Sequence, residues 1–440
     1  MDRETYAPSL VATSQPRRVL QVDDAKSATP RGAVRTARAV LWLAATLPFI
    51  YSTAKTATAV AAGGGVGPLE ILRGGGPVLL WATSLFLAPT VRRGFGVVEI
   101  ALAAFSTVIL MSVLIPGNPS PQGSLLKGVS MVFVLLSLAR LARMYPSPKD
   151  ALVGLSGFVH LILLAALVQV VLFRHTVYAV GAGTIDNLPR LNILVPQVSA
   201  NPLALVAVAG ILSCVLGVAP RRLPFNPVVR NALIALYVYL IILTRTRSAL
   251  LVGLIVIVLA LAVRAKRRPL STLAIMAGLV LATVFVVPAV LPEVHSFIQR
   301  GQTAQGIDTL SGRTVVWDHA WRVWQENRVF GLGYYTGHRL GIEGLSETQS
   351  NIDNTWLETM VDVGLMGLIP LALFAASGLV RLVRSRDLAG DWKLWAVGTA
   401  VYALAISFVN PTIQTPGAGQ VVLGFLLMVV LPQRSGPGAA

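Results

Sequence analysis

Two arginines, separated by a single threonine, lie in a short polar connection between two long apolar segments. The connection reads TRTRS, and it contains Arg245 and Arg247 together with three hydroxyl side chains. A guanidinium presents a rigid fork of N–H donors that matches phosphate oxygens, and a half-dry membrane boundary strengthens that pairing. The pattern predicts a diphosphate site. The alternative interpretation is that both side chains only reach out to lipid headgroups.

A second set of candidate residues, which could act as general bases, lies around the start of a later apolar segment. Asp353 and Asn354 stand at its mouth, where a carboxylate can accept a proton from an attacking hydroxyl. The alternative role for either residue is to cap the helix that follows. His338, in the same polar stretch, is a second candidate base. Glu358 and Asp362 lie inside the apolar segment with i, i+4 spacing, and acids in such positions are candidates for function.

The polar stretch that precedes Asp353 predicts an amphipathic helix beginning after a Ser311 cap. Trp317, Trp321 and Trp324 repeat at i, i+4 and i+7, so their indoles share one face. That face suits either the headgroup region of a membrane or the stacking of sugar rings. Arg313 falls in the first turn, where the helix dipole disfavours a cation, and an anionic partner is therefore expected for it.

A glycine-rich turn follows this helix. Gly331 and Gly333 permit tight turns and close backbone approach. The turn lacks the Lys-Ser/Thr pair of a nucleotide phosphate loop, so we do not interpret it as one.

A third arginine lies in an earlier polar connection. Arg190, with Asn192, has two open interpretations, contact with a phosphate or sugar and an ordinary loop role. Asn201 and Pro202 end that connection and predict the cap and first turn of the next helix.

The elements that hold these residues are membrane spans. Hydrophobic residues make up 55% of the 440 positions and charged residues 12%, which excludes an ordinary soluble protein. Segments of about 20 apolar residues, the length that crosses a bilayer, recur along the chain. We predict an all-α polytopic membrane protein with about 12 transmembrane helices, at 39–62, 76–91, 97–116, 124–144, 150–173, 198–219, 227–243, 248–264, 270–292, 355–380, 393–410 and 418–432.

The distribution of Lys and Arg predicts the orientation, because cytoplasmic connections collect these residues. We expect the protein to lie in the cytoplasmic membrane with both termini on the cytoplasmic side. The domains are then a basic tail at 1–36, nine spans within 37–292, a long extracytoplasmic catalytic loop with short helices at 293–354, three spans within 355–432 and a cytoplasmic tail at 433–440. The net charge of +17 reflects this bias and the tail, so no nucleic acid partner is expected. Cys214 is the only cysteine, which excludes intramolecular disulfides and sites built on several cysteines.

Four motifs in the second half of the chain carry a family resemblance. They are TRTRSALL at Thr244–Leu251, SGRTVVW at Ser311–Trp317, FGLG at Phe330–Gly333 and DNTWLETMVDVGLMG at Asp353–Gly367. In this order, beside many spans and one long polar loop, they resemble the O-antigen ligase and O-antigen polymerase superfamily of bacterial envelope glycosyltransferases.

The resemblance implies a metal-independent, inverting glycosyl transfer without cofactor. The donor would be a glycan on undecaprenyl diphosphate, and the acceptor would be a hydroxyl of another glycan or of an envelope molecule. Membrane lipids would surround the protein. By position, Arg190, Arg247 and Arg313 match the family's arginines. The family histidine is Asp353 here, and the family proline before the glycine turn is Arg328.

Two further questions stay open at the level of sequence. Polymerase and ligase differ in the acceptor, and we favour polymerase slightly because no separate acceptor module is evident. A transporter or flippase of lipid-linked glycans is the alternative class, and it predicts internal repeats with polar residues on both faces of the membrane. The polar residues of this chain concentrate on one face.

Overall fold

A computed structural model describes residues 78, 81–82, 96–143, 145, 147–180, 189–194, 197–218, 226–266, 313–340, 352–412 and 418–429. Within them the chain forms helices α1 (Val97–Met111, extended by a 3₁₀ turn at Ser112–Leu114), α2 (Pro121–Arg143), α3 (Pro148–Leu172), α4 (Arg174–Val177), α5 (Ala200–Leu216), α6 (Pro227–Thr244), α7 (Arg247–Ala265), α8 (Arg313–Glu326), α9 (Gly337–Leu340), α10 (Thr355–Arg384), α11 (Gly390–Ile406) and α12 (Ala418–Met428). The all-α class is confirmed.

Six of these helices are long and apolar enough to cross a bilayer: α1 with its 3₁₀ turn, α2, α3, α6, α7 and α10. Two shorter apolar helices, α5 and α12, accompany them. Nine predicted spans coincide with described helices to within a few residues, α11 included. The predicted spans at 39–62 and 270–292, and nearly all of 76–91, lie outside the described residues, so the number twelve stays a prediction.

Two small antiparallel hairpins occupy the connection between α4 and α5. Strand β1 (Tyr178–Val180) pairs with β2 (Pro189–Leu191), and β3 (Ile193–Leu194) pairs with β4 (Gln197–Val198). Helix α5 begins at Ala200 with Ser199 in the cap position, two residues before the cap predicted at Asn201. Asn201 is therefore not the cap. Its side chain instead accepts a hydrogen bond of 3.1 Å from the Thr246 hydroxyl.

The bundle has two distinct ends. At one, which we call the basic end, Glu99 of α1 lies 3.8 Å from Arg143 of α2 and 3.4 Å from Arg381 of α10. Arg264 of α7 pairs there with Asp391 of α11 at 3.8 Å. The other, which we call the loop end, carries the connections after α1, α6, α8 and α11. Arg143, Arg264 and Arg381 thus lie at the basic end, whereas Arg245, Arg247 and Arg313 lie at the loop end.

Helix α10 is interrupted at Gly364, whose φ is 60° and ψ −159°. The backbone groups around the break are paired with the turn that follows α8. Leu332 N donates to Val361 O at 2.9 Å, and Gly333 N donates to Asp362 O at 2.8 Å. In the opposite direction, the amides of residues 365 and 366 donate to the carbonyl oxygens of residues 328 and 329, at 2.9 and 3.1 Å. The turn is therefore fixed against α10 by four backbone hydrogen bonds.

Candidate functional site

Arg313 and Asp353 form an ion pair at the mouth of α10. Arg313 Nη2 lies 2.9 Å from Asp353 Oδ2, and the two side chains are 25% and 27% exposed. Trp317, one turn along α8, donates from Nε1 to the backbone oxygen of Ile352 at 2.7 Å. These two contacts dock α8 onto the residues that lead into α10. The anionic partner expected for Arg313 is thus a residue of the chain itself.

Asn354, not Asp353, caps α10. Its side-chain oxygen accepts hydrogen bonds from the amides of Trp356 and Leu357, at 3.0 and 3.1 Å. Asp353 lies in the left-handed region with φ of 50°, a conformation that is uncommon for a residue with a side chain. Because Asn354 performs the capping, the carboxylate of Asp353 is left for its contact with Arg313 and for the solvent side.

His338 and Asp362 form a second, fully buried pair below this mouth. His338 Nδ1 lies 2.9 Å from Asp362 Oδ2, and the carboxylate also accepts the backbone amides of Tyr335 and His338, at 2.7 and 2.8 Å. A carboxylate accepts hydrogen bonds, so Nδ1 is the ring nitrogen that donates to it. Asp362 thereby fixes the orientation of the imidazole.

Tyr335 lies among several charged groups. The Lys127 ammonium stands 4.6 Å from the centre of its ring, and so does the Arg339 guanidinium. The His338 ring meets the Tyr335 ring edge-on at 5.6 Å. Burial raises the pKa of the Tyr335 hydroxyl, while the Arg339 charge acts in the opposite direction. Lys127 belongs to α2 and is buried.

Glu358 is buried in the first turn of α10, and its Oε2 has no hydrogen-bond partner among the described residues. It interacts electrostatically with His338, Asp353, Asp362 and Arg339. These charges connect the two pairs into one cluster. Sequence reasoning identified His338, Asp353 and Glu358, and it noted Asp362. It missed Lys127 and Arg339, although a lysine inside an apolar segment is itself a signal of function.

The glycine turn packs where side chains would not fit. Gly331 has φ of 70°, and a Cβ there would lie 2.5 Å from the Asp362 carbonyl carbon. Gly333 has φ of 119° and faces the Asn118 side chain. Asn118 Oδ1 accepts the Thr336 hydroxyl at 3.0 Å, and that hydroxyl contacts Ser124 Oγ at 2.6 Å. The uncharged connection between α1 and α2 therefore meets the turn at the loop end.

The other three predicted arginines lie at the loop ends of α5, α6 and α7. Arg245 ends α6 in the left-handed conformation with φ of 53°, and Arg247 begins α7. Arg190 belongs to β2, which packs against α6. All three are partly exposed. They share the loop end with Asp353, but the guanidinium that pairs with Asp353 is that of Arg313.

The three indoles of α8 divide between two environments. Trp317 and Trp324 pack against a small cluster built on Val316, Ala320 and Leu357. Trp321 is exposed, and its ring lies 4.7 Å from that of Trp324. Ser311, the predicted cap, lies outside the described residues. Within the described ranges no group of three or more His, Cys, Asp or Glu side chains is arranged to hold a metal ion.

These features define a polytopic membrane protein with a polar, charged site at one end of its helix bundle. Residues 231–372 match the model of the O-antigen ligase family. No curated protein matches the chain at a significant level. The matched segment runs from α6 into α10 and contains Arg245, Arg247, Arg313, His338 and Asp353. It confirms the resemblance to the O-antigen ligase and polymerase superfamily, whose members act on lipid-linked glycans in membranes.

Proposed function

We propose that this protein transfers a glycan from an undecaprenyl-diphosphate donor to an acceptor hydroxyl at the loop end of the bundle. The observation that carries the proposal is the Asp353 carboxylate, paired with Arg313 at the mouth of α10 inside the matched segment. A partly exposed carboxylate next to cationic side chains at a membrane boundary suits a reaction between a hydroxyl and a lipid diphosphate.

Exposure favours Asp353 over His338 as the base. The side chain of Asp353 is 27% exposed, whereas the side chain of His338 is 3% exposed. A general base must come within hydrogen-bond reach of the hydroxyl that it deprotonates. Asp353 meets this condition without rearrangement, and His338 does not. The Arg313 contact uses Oδ2 of Asp353, so Oδ1 is the atom to which we assign the proton.

The proposed step is a single inverting displacement. The acceptor oxygen attacks the anomeric carbon, its proton passes to Asp353, and the bond from that carbon to the diphosphate oxygen breaks. The diphosphate leaves with the bonding electron pair. Arg190, Arg245 and Arg247 would neutralise its charge, while Arg313 orients Asp353. Trp317, Asn354, Gly331, Gly333 and Glu358 would support this arrangement. Trp317 holds α8 against the residues before α10, Asn354 caps α10, the two glycines let the turn pack on α10, and Glu358 interacts with the charged groups of both pairs.

The same proposal assigns the sides of the membrane. The basic end holds Arg143, Arg264 and Arg381, and we assign that end to the cytoplasm because cytoplasmic connections collect Lys and Arg. The loop end, with residues 293–354, would then face outward from the cytoplasmic membrane, and both termini would face inward. We favour a polysaccharide polymerase slightly over a ligase. The partners would be a lipid-linked oligosaccharide donor and a glycan or envelope acceptor.

The test uses surface glycans and lipid-linked intermediates of a strain that lacks the protein. The strain is complemented with the unchanged chain, with Asp353→Asn, or with the matched control Asp318→Asn, an exposed acid of α8. Asparagine keeps an oxygen that accepts from Arg313, so loss of activity in Asp353→Asn reports on the base. We expect the control to restore the glycan and Asp353→Asn to fail, with both chains present in equal amounts in the membrane.

The form of the defect distinguishes the activities. Glycans shortened to single repeats identify a polymerase, and finished polymer held on its lipid carrier identifies a ligase. Full restoration by Asp353→Asn would remove the assignment of the base. Accumulation of repeats on the inner face would instead favour the transporter or flippase.

A further inference from the structure

The turn after α8 carries an exposed apolar tip. Val329 is 49% exposed and Phe330 is 59% exposed, although the turn is fixed by backbone hydrogen bonds and its next residue, Gly331, is buried. Two adjacent large apolar side chains held rigidly outward are not explained by the packing of the loop. Such a tip is a candidate for contact with a partner outside the loop.

The height of this tip follows from the charges along α10. The 18 residues from Val363 to Val380 carry no charge, whereas Glu358 and Asp362 precede them and Arg381 follows them. At about 1.5 Å per residue, such a segment spans about 27 Å, close to the roughly 30 Å of a bilayer core. The hydrocarbon region therefore begins near Gly364. The turn is bonded at residues 365 and 366, which are the first residues below that level.

The tip continues the apolar outer surface of α10. Leu365, Met366 and Ile369 are exposed on the same helix just below the turn, with Ile369 at 55%. Exposed apolar side chains on the spanning segment of a membrane protein face lipid tails. Because Val329 O accepts a hydrogen bond from Met366 N, the exposed tip lies directly beside this lipid-facing surface.

The flanks of the tip suit a membrane interface. The Arg328 side chain, immediately before the tip, is exposed and donates from Nε to Gln325 O at 3.1 Å. Further up α8, Asp318 and Arg322 form an exposed ion pair. The chain thus passes from charged groups, through one arginine at headgroup level, to two apolar side chains.

From this geometry we propose that Val329 and Phe330 insert into the lipid leaflet at the loop end, as a second attachment of the loop to the membrane. The insertion sets the height of the segment from Gly331 to His338 relative to the lipid headgroups. The inference is independent of the proposed reaction, since it concerns a contact with the bilayer itself.

The test measures the depth of single spin labels in phospholipid vesicles. Cys214 is the only cysteine and is buried, so Cys214→Ala gives a cysteine-free background. Labels are placed at Phe330→Cys, at Ile369→Cys as the lipid-facing control and at Asp318→Cys as the water-facing control. Collision with oxygen, which enters lipid, is compared with collision with a water-soluble nickel chelate. We expect the oxygen-to-nickel ratio at position 330 to be at least several-fold above that of position 318, and below that of position 369, which lies about one helical turn deeper in the leaflet.

Three results would overturn the proposal. A label at position 330 that behaves like the label at position 318 would place the tip in water. Strong coupling between the labels of two molecules would make the tip an interface between copies. An oxygen preference that arises only after a polyprenyl phosphate is added would make it a binding surface for that lipid chain.

A second measurement avoids any effect of the label. Hydrogen exchange of residues 327–337 is compared between Phe330→Asp and Phe330→Leu in bilayer nanodiscs. The leucine variant keeps an apolar side chain and should exchange like the unchanged protein. The aspartate variant should exchange at least tenfold faster, because a charge at that depth is expelled from the lipid. Equal exchange in the two variants would contradict insertion.

Discussion

Removal of the Asp362 carboxylate should release the glycine turn from α10. In Asp362→Ala the amides of Tyr335 and His338 lose their acceptor and stay buried, and the His338 ring loses the hydrogen-bond partner of its Nδ1. Each buried N–H left unpaired costs about 1–3 kcal/mol, so the two together cost about 2–6 kcal/mol. Every 1.4 kcal/mol or so corresponds to a tenfold change in an opening equilibrium. Amides of residues 331–340 should therefore exchange with solvent roughly 30-fold to 10⁴-fold faster.

Hydrogen exchange followed by mass spectrometry on the detergent-solubilised protein measures this change directly. Asp318→Ala is the matched control, since its exposed ion pair contributes at most about 1 kcal/mol. Asp362→Asn should fall between the two, because the amide keeps one of the two acceptor oxygens. It also keeps the experiment informative should the alanine variant fail to accumulate. An Asp362→Ala protein that exchanges less than about fivefold faster, or no faster than the control, would refute the reasoning.

Three further predictions concern single contacts. Gly364→Ala should lower the thermal stability of the solubilised protein much more than Gly390→Ala does. Both glycines have φ of 60°, but of the two only Gly364 has backbone, that of Val329, where a Cβ would lie. Equal losses of stability would contradict the docking of the turn on α10. A double-mutant cycle of Arg313→Gln and Asp353→Asn, measured by chemical unfolding, should give a coupling free energy of about 0.5–1 kcal/mol. The value is modest because both side chains are partly exposed. Fully additive effects of the two substitutions would show that the ion pair does not contribute to stability. Burial raises the pKa of the Tyr335 hydroxyl, so the unfolded loop loses the hydroxyl proton near pH 10 while the folded loop keeps it. The stability of residues 331–340 should therefore fall as pH rises above about 10. Hydrogen-exchange measurements on Tyr335→Phe should show a weaker dependence on pH.

The spans follow from the sequence because lipid leaves few alternatives. A backbone in hydrocarbon must satisfy its own polar groups, so an apolar segment of about 20 residues becomes a helix with little dependence on its neighbours. Helix starts are similarly local. Asn226 and Pro227, for example, provide a cap and a first turn that need no tertiary contact, and the structure places both in those roles. The misplaced start at Asn201 shows the limit, since that residue bonds to Thr246 in another connection.

The site is less predictable because its contacts are distant in sequence. Arg313 and Asp353 are each identifiable, but their pairing depends on how α8 folds back onto α10. Lys127 belongs to another span, and only the packing of α2 beside the turn brings it to Tyr335. Gly364 looks like one of the many glycines found in membrane helices. That it breaks α10 two residues after Asp362, the partner of His338, becomes visible only in three dimensions.

The break at Gly364 also has a consequence for biosynthesis. A ribosome completes the turn at residues 328–333 before it makes residues 361–366, which supply all four of the backbone partners described above. At about 5–20 residues per second, the turn waits roughly 2–7 s for them. During that interval the backbone of Val361 and Asp362, against which Gly331 packs, does not yet exist. Helix α10 is thus the template on which the preceding loop acquires its shape, and a nascent chain arrested ahead of Gly364 would present that loop unformed.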